Sequence, residues 1–169
     1  MTKVIREVQI NAPKEKVWQV LADFRGVQNY NPSVKKSYST SEANGGVGAT
    51  RHCDLTLFGA SVEERITDWQ AGREYAIEIF DGQKSPPFKT AVARLAVRDD
   101  GQGGTIVTGE FSYTLKYGPI GFLMDRFMVS PQFERAFPRL LAGLKHHCET
   151  GEIVNAGTPI KMNAVMAAA

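Results

Sequence analysis

Arg51 and Glu64 are the pair in this chain whose types and spacing most directly suggest chemistry. They lie in VGATRHCDLTLFGASVEERI, Val47 to Ile66, which reads as two strands joined by a tight turn at Phe58-Gly59. Strand side chains alternate between two faces. Ala49, Cys53, Leu55, Val62 and Ile66 therefore share an apolar face, and Arg51 and Glu64 fall on it. With a two-residue turn, Leu57 pairs with Ala60, Cys53 faces Glu64 and Arg51 faces Ile66. Arg51 and Glu64 are then diagonal neighbours, within reach of long side chains. In a dry core such a pair adds little stability, because desolvation consumes most of its attraction. In a wet or ligand-filled cavity the cost falls, and the pair can orient a polar group of a guest. A bulge in either strand would instead turn both residues outward as a surface ion pair.

Other reactive types form no second constellation. His146, His147 and Cys148 are consecutive, and adjacent helix residues point about 100° apart, which does not suit a shared metal. His52 and Cys53 are sent to opposite faces by strand alternation. GGVG at 45–48 joins two strands instead of opening a helix, so it is no nucleotide fingerprint. No metal and no cofactor are expected.

Apolar residues suggest where a guest would lie. Phe122, Met124, Phe127, Met128, Phe133 and Phe137 crowd one stretch. Most read as core, with Met124, Met128, Phe133 and Phe137 taken as cavity lining, since Met suits adaptable apolar surfaces. Tyr75 and Ile77 on one strand, and Phe111 and Tyr113 on another, are further lining candidates. Tyr30, in YNPSV, either gates the mouth of the cavity or packs as a turn aromatic on the first helix. Burial of a ligand chain would contribute about 0.8 kcal/mol per methylene.

These residues need a scaffold. Alternation predicts a first strand near 3–10, then a short amphipathic helix near 13–23 with Asn11 as cap and Pro13 in its first turn. A turn or brief second helix follows through FRGVQNYNPSV. Six strands near 34–41, 48–57, 61–69, 74–81, 89–98 and 105–116 are separated by short Gly-rich breaks, which makes them an antiparallel meander. After Gly118-Pro119 the period becomes helical. Ile120, Leu123, Met124, Phe127 and Met128 form one segment. Phe133, Phe137, Leu140, Leu141, Leu144 and Cys148 stripe a long helix starting at Ser130-Pro131, kinked at Pro138 and ended by Gly151. This α+β order places one long helix on one face of a curved seven-stranded sheet.

The bulk numbers narrow the classes. At 169 residues the chain reads as one domain over 1–151 with a tail over 152–169. A chain this long buries about 70% of its unfolded surface and needs no staples. Net charge is +2 and the longest basic run is Lys35-Lys36, so no nucleic-acid footprint is present. No apolar run is long enough for a transmembrane helix. MTKVIREVQI has no signal-peptide core. Two distant cysteines, Cys53 and Cys148, suit a reduced, cytoplasmic protein, monomeric or homodimeric.

INAPKEKVWQVLADF, YNPSV, GVGATRHCDL, VEERITDW and FPRLLAGLKHHCE together resemble the START-like, helix-grip superfamily, in its bacterial polyketide cyclase/dehydrase and lipid-transport branch. The resemblance covers roughly residues 3–150. It implies an apolar cavity between sheet and helix that holds a lipid, a polyketide, or a sterol- or quinone-like molecule. It transfers no mechanism, because the family has no universal catalytic residues. Three readings follow. The first is a hydrophobic-ligand binding module with Arg51 and Glu64 as the polar anchor and Cys53 among the ligand-binding residues. The second is a cyclase or dehydratase, with Glu64 as base, Arg51 stabilising an enolate oxygen, and Tyr75 or Tyr113 donating a proton. The third is an accessory protein that binds a partner through exposed apolar patches.

Overall fold

In a computed structural model, which describes residues 1–57 and 59–167, strand β1 (Thr2–Ile10) leads into helix α1 (Lys14–Ala22) and a 3-10 helix (Phe24–Asn29). Val17 and Leu21 form the buried stripe of α1, one turn apart. Pro13 precedes the first turn, where its missing N–H removes no helical bond. Asn11 does not cap this helix. Its own backbone N–H donates to Glu149 Oε1 at 2.7 Å, which ties the start of α1 to the long C-terminal helix.

The meander follows as β2 (Val34–Ser39), β3 (Thr50–Leu55), β4 (Ser61–Gln70), β5 (Glu74–Gln83), β6 (Phe88–Asp99) and β7 (Thr105–Leu115). Each strand pairs antiparallel with the next, and β1 closes the series on β7. One face is mostly apolar: Val4, Val8 and Ile10 on β1, and Val107, Phe111 and Tyr113 on β7, are buried on the same side of the pleat.

Helix α2 (Gly118–Met124) passes through a π-turn (Asp125–Val129) into α3 (Ser130–Thr150). Ser130-Pro131 is therefore not a fresh start. Pro131 has no N–H and its ring crowds the preceding turn, and the wider ladder of 125–129 carries the helix past it. Gly151 ends α3 in the left-handed conformation, φ 77°. The apolar stripe Phe137, Leu141, Leu144 and Cys148 faces the sheet.

Two glycines set how closely α3 approaches. A Cβ on Gly143 would lie 2.1 Å from the Tyr30 carbonyl oxygen, so the helix backbone rests directly on the YNPSV segment. A Cβ on Gly109 of β7 would lie 3.0 Å from Phe137 Cζ.

The segment after Gly151, read as an appendage with packing on the body left open, lies against the body. Val154 is buried and its N–H donates to the Asn29 carbonyl at 2.9 Å. Val165–Ala167 then forms β8, antiparallel to β1, giving eight strands in the order β2-β3-β4-β5-β6-β7-β1-β8 instead of the seven expected. VNAGTPIKMNAVMAAA carries too little alternation for so short a strand to be read.

Two apolar clusters fill the space under the sheet. The larger joins α1, the 3-10 helix, β3 to β5 and the C-terminal half of α3. The smaller joins Val4, Ala91, Phe111, Tyr113, Val129 and Phe137, with Phe88, Met124 and Phe133 against it. Ile79 and Ala93 touch both. Among the described residues, no helix is long and apolar enough to cross a membrane.

Candidate functional site

Arg51 and Glu64 both point inward. Ala49, Arg51 and Cys53 on one strand, and Val62, Glu64 and Ile66 on the next, are all buried. The register differs from the expected one. Arg51 pairs directly with Glu64, and Cys53 with Val62. The connection is longer than two residues: the Leu55 N–H donates to the Ala60 carbonyl at 2.8 Å and the Ala60 N–H to the Leu57 carbonyl at 2.9 Å. Phe58, half of the expected turn, lies outside the described residues. The displacement is two residues, an even number, so it changes the partner of each residue and leaves every side chain on its face. A bulge does occur between Glu63 and Glu64, but toward β5, and it does not turn Glu64 outward.

The ion pair is closely bound. Arg51 Nε donates to Glu64 Oε2 at 2.5 Å, and Arg51 Nη1 donates to the Phe24 carbonyl. The guanidinium carbon sits 4.0 Å from the centre of the Phe24 ring. Arg51 is 3% exposed and Glu64 8%, so the pair is desolvated, and every described buried side-chain nitrogen and oxygen has a partner. Burial is the largest single influence and works to lower the Arg51 pKa, but Glu64 together with Cys53, Tyr30 and Tyr75 outweighs it and holds the guanidinium above its ordinary value.

Around the pair lie Cys53, Ser37, Tyr30 and Tyr75. Cys53 Sγ donates to Ser37 Oγ at 3.5 Å and approaches Glu64 Oε2 at 3.7 Å. Burial, then the Glu64 charge, pushes the Cys53 thiol up to about 12. Burial likewise raises the pKa of Tyr30 and Tyr75. Tyr30 is buried, and its carbonyl lies against the Gly143 backbone of α3. Tyr75 stacks on Trp69 at 5.8 Å between centroids, with Trp18 at 5.1 Å from Trp69. Ile77, the next inward residue on β5, is buried.

Glu64 pairs across β4 and β5 with Ile79, which leads to the aromatic cluster. There Phe111 and Phe133 are 4.6 Å apart, Tyr113 and Phe133 5.4 Å, and Phe88 and Tyr113 5.7 Å. Phe137 lies 6.2 Å from Phe111. The Tyr113 hydroxyl donates to Asp125 Oδ1 at 2.5 Å, and the Thr2 hydroxyl donates to the other carboxylate oxygen. Burial, then Asp125, raises the Tyr113 pKa. Met124 borders this cluster. Met128 does not. It is 68% exposed, because Gly121, Asp125 and Val129 are the residues of α2 and the π-turn that face the sheet. Asp125 and Ser37 were not singled out in the sequence, and neither carries a local signal that marks it; Phe24 was read only as part of the first helical stripe and Phe88 only as the end of the loop from Phe80 that could border the cavity opening.

Two surface hollows lie elsewhere. One, about 450 Å³, is lined by Gln28, Asn29, Val34, Lys35, Thr56 and residues 153–156. The other, about 580 Å³, lies between α3 and the C-terminal segment, at Glu134, Arg135, Pro138, Arg139, Thr158, Ile160 and Met162. Neither includes a sequence-predicted lining residue. Apart from the exposed Met128, the expected apolar lining residues pack within the two apolar clusters. No cluster of three or more His, Cys, Asp or Glu placed to hold a metal occurs among the described residues.

An antiparallel sheet packed against one long C-terminal helix, with short helices after the first strand, is the helix-grip fold. The chain belongs to the polyketide cyclase / dehydrase and lipid transport family, whose pattern it matches over residues 1–149. Similar solved structures show the same fold. TTHA0849 from Thermus thermophilus superposes with a TM-score of 0.71 at 21% identity, over 87% of this chain and 97% of that one. A START superfamily protein from Mycobacterium smegmatis gives 0.64 at 14% identity, over 85% and 97%. Major latex-like protein 151 from Panax ginseng gives 0.62 at 17%, over 86% and 96%. No curated protein matches the chain.

Proposed function

We propose that this protein binds a hydrophobic small molecule with one polar end, a lipid, polyketide or sterol- or quinone-like compound, on the concave face of its sheet. The observation that carries the reading is the Arg51–Glu64 pair turned into an apolar interior. Replacement of such a pair by apolar residues of similar volume is often neutral or stabilising, so stability alone is a weak reason for it. A polar anchor for a guest is a sufficient one. Tyr30, Tyr75 and Cys53 add hydroxyl and thiol groups beside it. Ile79 and Ala93, which border both apolar clusters, mark the seam along which the guest's apolar part would run toward Phe111, Phe133 and Phe137. The guest displaces side chains that close this seam in its absence.

An enzymatic reading with Glu64 as base gains less from the geometry. Its carboxylate is held by Arg51, and neither hollow reaches it. The family's description spans both binding and catalysis, and this chain's site favours anchoring. Native mass spectrometry of protein purified from its own host tests the reading: a retained non-covalent adduct, weakened in Glu64→Gln, is expected. A bare chain that also takes up no fluorescent fatty-acid analogue would count against it.

A further inference from the structure

Large apolar side chains normally turn away from water, yet six stand in it along one short stretch. Tyr117, Ile120, Phe122, Leu123, Phe127 and Met128 are each between 56% and 71% exposed. The opposite side of the same segment is anchored. Gly121 is pressed against the Lys116 carbonyl, Val129 is buried, and Asp125 is bound by Thr2 and Tyr113. The outward face is thus a fixed apolar ridge. Its charges have one sign. Lys116 and Arg126 lie within the stretch, and Arg135 and Arg139 on the following turns; all four are exposed and make no ion pair among the described residues. The two acids of the region are engaged, Asp125 as above and Glu134 with Arg6.

We propose that the ridge from Tyr117 to Met128 docks on a lipid bilayer surface carrying anionic headgroups. Apolar and aromatic side chains backed by unpaired cations match the apolar boundary and negative surface of such a membrane. A second copy of the chain fits less well, because a two-fold contact would set Lys116 and Arg126 against the same cations. The six side chains protrude and line neither hollow, so they offer no groove for a protein partner's anchor. The proposal stands on this exposed segment and is independent of the interior site.

Vesicle flotation tests it with the full chain. The protein is expected to float with mixed phosphatidylcholine–phosphatidylglycerol vesicles at low salt, to be released at high salt, and to ignore phosphatidylcholine alone. Phe122→Asp with Phe127→Asp should abolish flotation while leaving the thermal melt in place. Lys116→Glu with Arg126→Glu should weaken partitioning by more than about tenfold, since each surface cation contributes a few-fold. Wild-type protein left unbound by the mixed vesicles overturns the proposal. So does binding unchanged in the double aspartate variant. A dimer in sedimentation velocity that the aspartates dissolve, without vesicle binding, would assign the ridge to a second copy instead.

Discussion

Arg51 faces Glu64 directly across β3 and β4, and the same guanidinium reaches the Phe24 carbonyl, so one side chain joins the sheet to the 3-10 helix. Loss of one partner leaves the other charge buried. Arg51→Leu is expected to destabilise the fold by about 3–5 kcal/mol. Arg51→Leu with Glu64→Leu should recover part of that loss, because no lone charge remains. Urea unfolding of the three proteins measures it. Equal midpoints for single and double variants would show that the pair is uncoupled.

Gly143 offers a backbone test. A methyl group there would meet the Tyr30 carbonyl at 2.1 Å, with no rotamer able to relieve it. Gly143→Ala should lower the melting temperature, with a loss on the order of 1–3 kcal/mol or more typical of overpacking. Gly109→Ala meets the ring of Phe137 at 3.0 Å and should be the milder change, since a side chain can shift where a carbonyl cannot.

On the outer face of the sheet, His52 stacks on Tyr38 and lies between Glu63 and Asp54. The hydrogen bond to Glu63 is the largest influence on the ring and raises its pKa above the ordinary 6.5. A raised folded pKa means that the charged ring stabilises the fold fully below the unfolded value, and that this contribution is lost as pH rises through the folded value. The stability gap between wild type and His52→Gln should therefore be widest below pH 6.5 and narrow above it. Chemical denaturation across neutral and mildly alkaline pH reads this directly; a gap that widens with pH contradicts the assignment.

Both thiols should be silent in the native protein. Burial pushes Cys53 up to about 12 and Cys148 to about 11, and both are 1% exposed. A thiol-specific reagent at mildly alkaline pH is expected to label neither cysteine until denaturant is added. Fast labelling of Cys53 in native protein would indicate that the β3–β4 face opens readily.

The strands were legible because their signals are local. Alternation and Gly-rich breaks located β1 to β7 to within about two residues. The inward placement of Arg51 and Glu64 followed from parity, and parity survived an error in the turn because the slip was even. Their exact pairing did not follow, since it depends on the length of the Leu55–Ala60 connection. The helical segment at 118–129 misled for a physical reason. Its apolar residues suggested burial, but Gly121, Met124, Asp125 and Val129 meet the body, and Ile120, Phe122, Leu123, Phe127 and Met128 were left outside. Tyr30 was ambiguous because only the contact with Gly143, far away in sequence, decides where that turn sits.

The contact of Gly143 with Tyr30 also governs how this protein can breathe. Backbone meets backbone there, so the C-terminal half of α3 is a fixed pivot that cannot rise from the sheet without breaking the joint. Pro138 and the π-turn, where the helical ladder is already interrupted, lie toward the other end. A tilt of α3 that kept this joint intact would have to pivot at its C-terminal half, with the N-terminal half as the moving end, like a clasp hinged at one side.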